Sequence, residues 1–180
     1  MKILVFGAGV LGCNLARNFF RAGKDVTLLA RGAWGESIPK NGLRIKDKFS
    51  PRMSVSRIPV VTELKAEDKY DVIFVVLRYT QLDAILDTLR ANPTKNIVFV
   101  GNDVRASALS ASLPEKNVMF AFASSAGHRE REYVASVDLK KLKGNTAYLS
   151  RLIDANIEGY RAIRNAGHAI LPKEDTDFEG

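Results

Sequence analysis

Three glycines near the start of the chain, Gly7, Gly9 and Gly12, have the spacing of a loop that binds the phosphates of a dinucleotide. A strand-like apolar run, Lys2–Phe6, precedes them and a helical pattern follows, which is the context that this loop requires. The first glycine permits the turn out of the strand, the second lets a pyrophosphate approach the backbone, and the third lets the helix pack on the strand. Free N–H groups at the helix start would then hold the phosphates. We therefore predict that a cofactor is bound by Gly7, Ala8, Gly9, Val10, Leu11 and Gly12.

The residue after the second predicted strand favours NADP(H) over NAD(H). The run Asp25–Ala30 predicts this strand, and Arg31 follows it, nineteen residues after Gly12. NAD-binding loops carry an acidic residue about 20 residues on, which binds the ribose hydroxyls. A guanidinium instead binds a 2′-phosphate in a forked, charge-assisted way. The other interpretation of Arg31 is a solvated loop arginine.

Strand and helix patterns alternate over the first part of the chain. Further strands are predicted at Tyr70–Leu77, Asn96–Val100 and Asn117–Ala123, and helices at Asn14–Ala22, Thr80–Arg90 and Val104–Leu113. Strands that are nearly continuous in apolar residues are typical of parallel sheets covered on both faces. The pattern predicts an α/β fold with a doubly wound parallel sheet of the Rossmann type.

The pattern is weaker in two places. Residues 31–57 hold several glycines and prolines and predict an irregular excursion with hairpin strands at Leu43–Ile45 and Met53–Ile58. Ser124–Glu132 predicts a polar loop, and Tyr133–Val137 predicts a last strand. We expect a dinucleotide-binding domain over 1–137 and part of a smaller all-helical domain over 138–180.

The helical part contains one strong amphipathic pattern, Tyr148–Asn165. Its apolar face could pack on the chain's own sheet domain or against a second copy in a homodimer. Both alternatives stay open at this point.

Composition limits the classes of protein and partner. With 180 residues, 46% of them hydrophobic and 26% charged, the chain has the composition of a globular protein, and the lone Cys13 cannot form an internal disulfide. The net charge of +7 fits a phosphorylated small molecule or serves solubility only. No basic–aromatic interleaving supports nucleic acid, no spacing supports a metal, and no apolar run supports a membrane span. Without a signal-peptide pattern we expect a cytoplasmic protein.

Three titratable side chains have alternative interpretations. Cys13 lies near a predicted helix N-terminus that would lower its pKa, although a small packing residue is the favoured interpretation. His128 and His168 have no partner visible in the sequence and are interpreted as surface histidines.

The glycine loop KILVFGAGVLG, the strand ending LLAR and two later segments together resemble the ketopantoate reductase family. The family's V-x-V-K-x-x-Q motif corresponds to Val75–Gln81, with Arg78 in place of the lysine. Its Asn-Gly step corresponds to Asn102 and Asp103. The resemblance implies that Arg78 lies beside the cofactor and that Asn102 reaches its nicotinamide side.

The resemblance also implies an activity, the NADPH-dependent reduction of a 2-keto acid, with ketopantoate as substrate and pantoate as product in pantothenate and coenzyme A synthesis. Family members carry a catalytic lysine and, four residues on, an asparagine. Only Lys141 and Asn145 have this spacing, in a glycine-containing basic segment that we interpret as a solvated loop, so no catalytic residue is assigned. A block of the family's sequence is expected to be missing near Val137. The alternative function is a non-catalytic NADP(H)-binding module, a sensor or a scaffold.

Overall fold

The computed structural model describes residues 1–47, 53–101, 105–123, 127–130 and 134–136. The strands among them are β1 Lys2–Phe6, β2 Asp25–Leu29, β3 Leu43–Lys46, β4 Met53–Ser56, β5 Val60–Val61, β6 Val72–Val75, β7 Asn96–Val100, β8 Asn117–Ala121, β9 Gly127–Arg129 and β10 Val134–Ser136. The α-helices are α1 Val10–Arg21, α2 Gly32–Asn41, α3 Leu86–Ala91 and α4 Ala106–Ser112, with short 3-10 turns at Tyr79–Gln81 and Asp83–Ile85.

Six strands form a sheet, called the large sheet below, in the order β5-β2-β1-β6-β7-β8. Every pairing in it is parallel. The chain runs outward from β1 through β2 to β5, then returns to β6 on the other side of β1. Ligands of such sheets bind beyond the carboxyl ends of the strands where the order reverses, here between β1 and β6. The predicted α/β fold with a doubly wound parallel sheet is confirmed.

Strand β1 shows why its sequence is continuously apolar. Ile3 and Val5 belong to one buried cluster, on the face that α1 covers through Cys13 and Ala16. Leu4 and Phe6 belong to a second cluster on the opposite face, together with Leu89 of α3 and Leu109 of α4. Because both faces are covered, the strand is apolar from Ile3 to Phe6 and only the exposed Lys2 at its start is polar.

Four short strands form a second sheet, called the small sheet below, in the order β4-β3-β10-β9. Strands β3 and β4 form an antiparallel hairpin, β10 is parallel to β3, and β9 is antiparallel to β10. Helix α1 contacts β2 of the large sheet as well as β3, β9 and β10 of the small sheet. The largely buried Arg17 of α1 forms an ion pair with Asp47, which follows β3, at 2.6 Å. Helix α1 therefore connects the two sheets.

Two helix predictions had wrong boundaries. Helix α1 begins at Val10 and not at Asn14, because Gly9 is its N-cap and the Gly9 carbonyl accepts from the Cys13 N–H at 2.9 Å. The region predicted as one helix over Thr80–Arg90 consists of two 3-10 turns and the six-residue α3.

Helix α2 was missed altogether. Its Gly35 packs so close to β2 that an added Cβ would lie 2.5 Å from the Ala30 carbonyl oxygen. Pro39 lies in the last turn of this helix, where it removes one backbone hydrogen bond without preventing the turns before it. Glycine and proline, which predicted an irregular segment, are here parts of a short packed helix. The hairpin predicted after it is present as β3 and β4, and a strand, β9, lies within the predicted polar loop Ser124–Glu132.

The described residues all belong to one compact unit, Met1–Val137. The predicted division at 137/138, the helix Tyr148–Asn165, Lys141, Asn145 and His168 involve residues outside the described ranges. Within those ranges no helix has the length and hydropathy to cross a membrane. The same residues contain no group of three acidic, histidine or cysteine side chains placed to hold a metal ion.

Candidate cofactor-binding cleft

The three glycines after β1 have different surroundings. Gly7 has a φ of +120°, and an added Cβ would lie 2.4 Å from the Val76 carbonyl oxygen. An added Cβ at Gly12 would lie 1.9 Å from the Gly7 carbonyl oxygen. Both glycines are therefore required by the protein's own backbone. At Gly9, by contrast, an added Cβ would meet no atom within 4 Å, so the space above this residue is open.

Helix α1 starts directly at this open space. No side chain caps it, and its first turn contains no acidic residue. The first N–H groups of a helix have no partner within the helix, and the helix dipole makes this end positive. A phosphate group above Gly9 would accept hydrogen bonds from these N–H groups and would be stabilised by the positive end of the dipole. The residues present thus fit the pyrophosphate of a dinucleotide.

A cleft of about 540 Å³ extends from this loop along the carboxyl ends of β1, β2 and β6. It is lined by Phe6, Gly7, Ala8, Gly9, Val10, Leu29, Arg31, Trp34, Val76, Leu77, Arg78, Gln81 and Arg129. Leu11 and Gly12 are not among these lining residues, because Leu11 packs on the core beneath α1 and Gly12 packs on Gly7. Of the residues predicted to bind the cofactor, Gly7, Ala8, Gly9, Val10, Arg31 and Arg78 are brought together here.

Three arginines give the cleft its charge. Arg31, Arg78 and Arg129 line it, and its described lining contains no carboxylate. None of the three forms an ion pair with another described residue. The described part of the cleft therefore presents three guanidinium charges without a counter-ion. A ligand with several negative charges would be the complementary partner.

Arg31 is placed by the end of β2 and the start of α2. It is the exposed N-cap residue of α2, with an extended backbone, and Gly32 begins the helix with a φ of +62°. Trp34 follows in the first turn of the same helix and lies on the cleft wall. The arginine predicted to bind a 2′-phosphate thus lies in the cleft.

Arg78 and Gln81 form a closed turn after β6. The Arg78 N–H donates to the Gln81 side-chain Oε1 at 3.2 Å, and the Gln81 N–H donates back to the Arg78 carbonyl at 2.8 Å. The glutamine of the sequence motif therefore holds the backbone that carries the arginine. Arg78 also borders a second, mostly apolar cavity of about 430 Å³, whose wall includes Phe99, Gly101 and Phe120. Asn102, predicted to reach the nicotinamide side, lies outside the described residues.

Arg129 was not predicted. It lies on β9 of the small sheet, its guanidinium carbon is 4.2 Å from the centroid of the Trp34 ring, and its Nη2 donates to the Ala8 carbonyl. The sequence showed this segment only as polar, and no local pattern distinguishes Arg129 from the other arginines nearby. Its neighbour His128, interpreted as unpartnered, has its Nε2 3.0 Å from Glu130 Oε1.

The Cys13 thiol also contacts the loop after β1. Its Sγ lies 3.4 Å from the Ala8 carbonyl oxygen, which also accepts from Arg129. Burial raises the pKa of the Cys13 thiol to about 12, and the Arg129 charge offsets only part of this shift. The prediction that the helix N-terminus lowers this pKa was wrong, because desolvation of the thiolate is the larger effect. The packing interpretation of Cys13 agrees with its complete burial.

The chain resembles a crystal structure of a probable 2-dehydropantoate 2-reductase from Bacillus subtilis, with a TM-score of 0.66 and 19% identity over 77% of this chain and 47% of the other. A putative 2-dehydropantoate 2-reductase from Enterococcus faecalis matches with a TM-score of 0.63 and 21% identity over 88% of this chain and 55% of the other. D-mandelate dehydrogenase in a ternary structure with NADH and anilino(oxo)acetate matches with a TM-score of 0.65 and 20% identity, over 77% of this chain and 46% of the other.

These structures share the fold, and the chain spans about half of their length. No curated protein matches the chain at the significance required. A family profile matches residues 3–145, which include β1 from Ile3 onward, the glycine loop, Arg31, Arg78 and Arg129. By this match the chain belongs to the ketopantoate reductase PanE/ApbA family.

Proposed function

We propose that this chain is the cofactor-binding part of an NADP(H)-dependent oxidoreductase that reduces a 2-keto acid. The observation that carries the proposal is the cleft at the β1/β6 switch point, where an open glycine loop meets three arginines and no carboxylate among the described lining residues. NADPH has a pyrophosphate and a further 2′-phosphate, so its charge complements the cleft better than that of NADH. By family membership, ketopantoate and pantoate are the proposed substrate and product.

The chain's own residues would position the cofactor. The loop around Gly9 and the start of α1 would hold the pyrophosphate, and Arg31 would bind the 2′-phosphate. Arg78, fixed by Gln81 and bordering both cavities, would lie towards the nicotinamide end. Hydride transfer is the chemistry that the nicotinamide supplies when bound.

Reduction of a ketone also requires a proton for its oxygen. The described lining of the cleft contains no histidine, carboxyl, lysine, cysteine or tyrosine side chain that could serve as a general acid. Tyr79 lies on the wall of the second cavity, and we assign no proton donor. A cytoplasmic location and a place in pantothenate and coenzyme A synthesis are part of the proposal, since both would follow from the reaction.

Nucleotide titration tests the cofactor assignment. Trp34 is the only tryptophan of the chain and lies on the cleft wall, so its fluorescence should report occupancy directly. We expect NADPH to quench it at lower concentration than NADH. Arg31→Gln should weaken NADPH binding about tenfold and leave NADH unchanged, because only the 2′-phosphate contact is lost. Lys46→Gln, at the exposed end of β3 and not among the lining residues of the cleft, is the matched control for one lost charge. A wild-type chain that binds neither nucleotide would contradict the proposal.

Turnover separates the enzyme from the non-catalytic module. Ketopantoate is added to the NADPH complex and the loss of reduced-nicotinamide absorbance is followed, with an aryl 2-keto acid in parallel because D-mandelate dehydrogenase shares the fold. Loss of absorbance with either acid supports the reductase and identifies the substrate class. Binding of NADPH without turnover of any keto acid favours the sensor or scaffold.

A further inference from the structure

Arg129 is held in the cleft by two contacts on different elements. Its guanidinium carbon lies over the Trp34 ring of α2, 4.2 Å from the centroid, and its Nη2 donates to the Ala8 carbonyl in the β1–α1 loop. A cation–π contact and a hydrogen bond to a different segment together restrict where the guanidinium can lie. The side chain is thus oriented although it is exposed to the cleft.

Arg129 retains free charge and free donors. Glu130, the carboxylate next to it in sequence, contacts His128 instead, at 3.0 Å. No described carboxylate forms an ion pair with Arg129, and the Ala8 carbonyl engages only one of its five N–H groups. Packing against Trp34 alone does not account for a charged side chain that lines the cleft without a described counter-ion.

The position of this charge differs from that of Arg31. Arg31 follows β2, where dinucleotide-binding sheets place the ribose, whereas the hydrogen-bonding edge of Arg129 reaches the loop after β1, where they place the pyrophosphate. A guanidinium edge beside the N-terminus of α1 would add a charge-assisted donor to the backbone N–H groups there.

We propose that Arg129 is a cofactor-binding residue that contacts the pyrophosphate, held in place by Trp34 and the Ala8 carbonyl. This inference rests on the proposed function. It divides the recognition of NADPH between two sheets: the large sheet supplies the loop and Arg31, and the small sheet supplies the pyrophosphate cation. Arg129 would therefore set affinity for any pyrophosphate-containing nucleotide, and Arg31 would set preference for the 2′-phosphate.

Two fragments of the cofactor test this division. ADP carries the pyrophosphate without the 2′-phosphate, and 2′-AMP carries the 2′-phosphate without the pyrophosphate. Their affinities, and those of NADPH and NADH, are measured by calorimetry on the full chain, since Arg129 touches the fluorescent Trp34. We expect Arg129→Gln to weaken NADPH, NADH and ADP by a similar factor of about ten and to leave 2′-AMP within about twofold. Arg31→Gln should instead weaken NADPH and 2′-AMP and leave NADH and ADP within about twofold.

Two further measurements separate contact from positioning. Arg129→Lys keeps the charge without the planar fork, so it should recover part of the ADP affinity. A direct charge contact is screened by salt, so the ADP affinity of Arg129→Gln should fall less steeply with salt than that of wild type. Lys46→Gln should leave both affinity and salt dependence unchanged, and thermal unfolding shows whether each variant is folded.

Three outcomes would overturn the assignment. ADP affinity of Arg129→Gln equal to wild type would remove Arg129 from the pyrophosphate. Weaker 2′-AMP with unchanged ADP would assign Arg129 to the 2′-phosphate instead. Weaker ADP with an unchanged salt dependence would make Arg129 a positioning residue that acts through Ala8. If the wild-type chain binds NADPH and one of these three outcomes is found for Arg129→Gln, only this inference is contradicted. If the wild-type chain binds no nucleotide, the proposed function is contradicted as well.

Discussion

The large and the small sheet border the cleft in different ways. The large sheet contributes the residues that directly follow three of its strands: the glycine loop after β1, Arg31 after β2 and Arg78 after β6. The small sheet contributes Arg129, an exposed side chain on a three-residue strand, which reaches a carbonyl 121 residues earlier in the chain. The strand ends of the large sheet belong to its buried core, whereas Arg129 belongs to the surface.

This difference separates stability from binding. A side chain added at Gly7 or Gly12 meets backbone atoms of the core, so it should alter the fold and the site together. A change at Arg129 removes a surface contact and should alter the site alone. The predictions below test this contrast from the largest expected effect to the smallest.

Gly12→Ala should have the largest effect on stability. Its Cβ would lie 1.9 Å from the Gly7 carbonyl oxygen, and neither backbone can move without displacing α1 from β1. We expect the free energy of unfolding to fall by about 3 kcal/mol or more, as measured by urea unfolding. Gly9→Ala is the matched control: its Cβ meets no protein atom, so stability should be unchanged while NADPH binding weakens. Equal destabilisation by both variants would contradict the different roles of the two glycines.

Asn92→Ala should destabilise the large sheet at the end remote from the cleft. The buried Asn92 side chain donates to the carbonyls of Lys65 and Asp68 at 2.9 and 2.7 Å and accepts from the Thr94 N–H at 3.0 Å. Its removal leaves the buried Thr94 N–H unpaired and removes two bonds to partly buried carbonyls, so we expect a loss of about 2 kcal/mol with unchanged NADPH affinity. The exposed Asn117→Ala serves as the control and should stay near wild type. A changed affinity in Asn92→Ala would show that the two ends of the sheet are coupled.

Cys13 predicts a pH dependence of stability. The pKa of its thiol is about 12 in the native state against an ordinary value of 9.0, so the native chain keeps a proton that the unfolded chain loses. Stability is therefore lost as the pH rises from 9 towards 12, by about 1.4 kcal/mol at pH 10 relative to neutral pH.

Urea unfolding at pH 8 and pH 10 measures this loss, and the difference between wild type and Cys13→Ala isolates it from other titrating groups. Identical pH dependence of the two proteins would contradict the burial of the thiol as its cause.

Arg129→Gln should have the smallest effect on stability. An exposed guanidinium over an aromatic ring contributes about 0.5–1 kcal/mol, and the Ala8 carbonyl keeps its contact with Cys13. Thermal unfolding of the variant should therefore lie close to that of wild type despite its weaker ADP binding. A loss as large as that of Gly12→Ala would show that the small sheet supports the fold rather than the site.

Prediction from the sequence succeeded where one short segment contains the whole reason for a structure. Asn96–Val100 has four consecutive apolar residues after its asparagine and forms the strand with those bounds. Helix α2 was not predicted because a glycine such as Gly35 locally indicates a break in a helix. The reason for this glycine is its close approach to the Ala30 carbonyl after β2, which the local sequence does not show. For Thr80–Arg90 the sequence predicted more helix than is present. The apolar spacing predicts one continuous helix, but the chain forms two 3-10 turns before the short α3.

The sequence by itself determined the glycine loop, the parallel sheet and the arginine after β2, because each depends on neighbours within a few residues or on a repeated strand–helix pattern. Only the tertiary structure decided that Gly9 borders open space while Gly7 and Gly12 are enclosed by backbone. It also decided that Cys13 is a buried thiol with a raised pKa and that Arg129 enters the cleft. The physical reason is that burial and long-range contact depend on how α1 packs between two sheets, and no local spacing of residues records that packing.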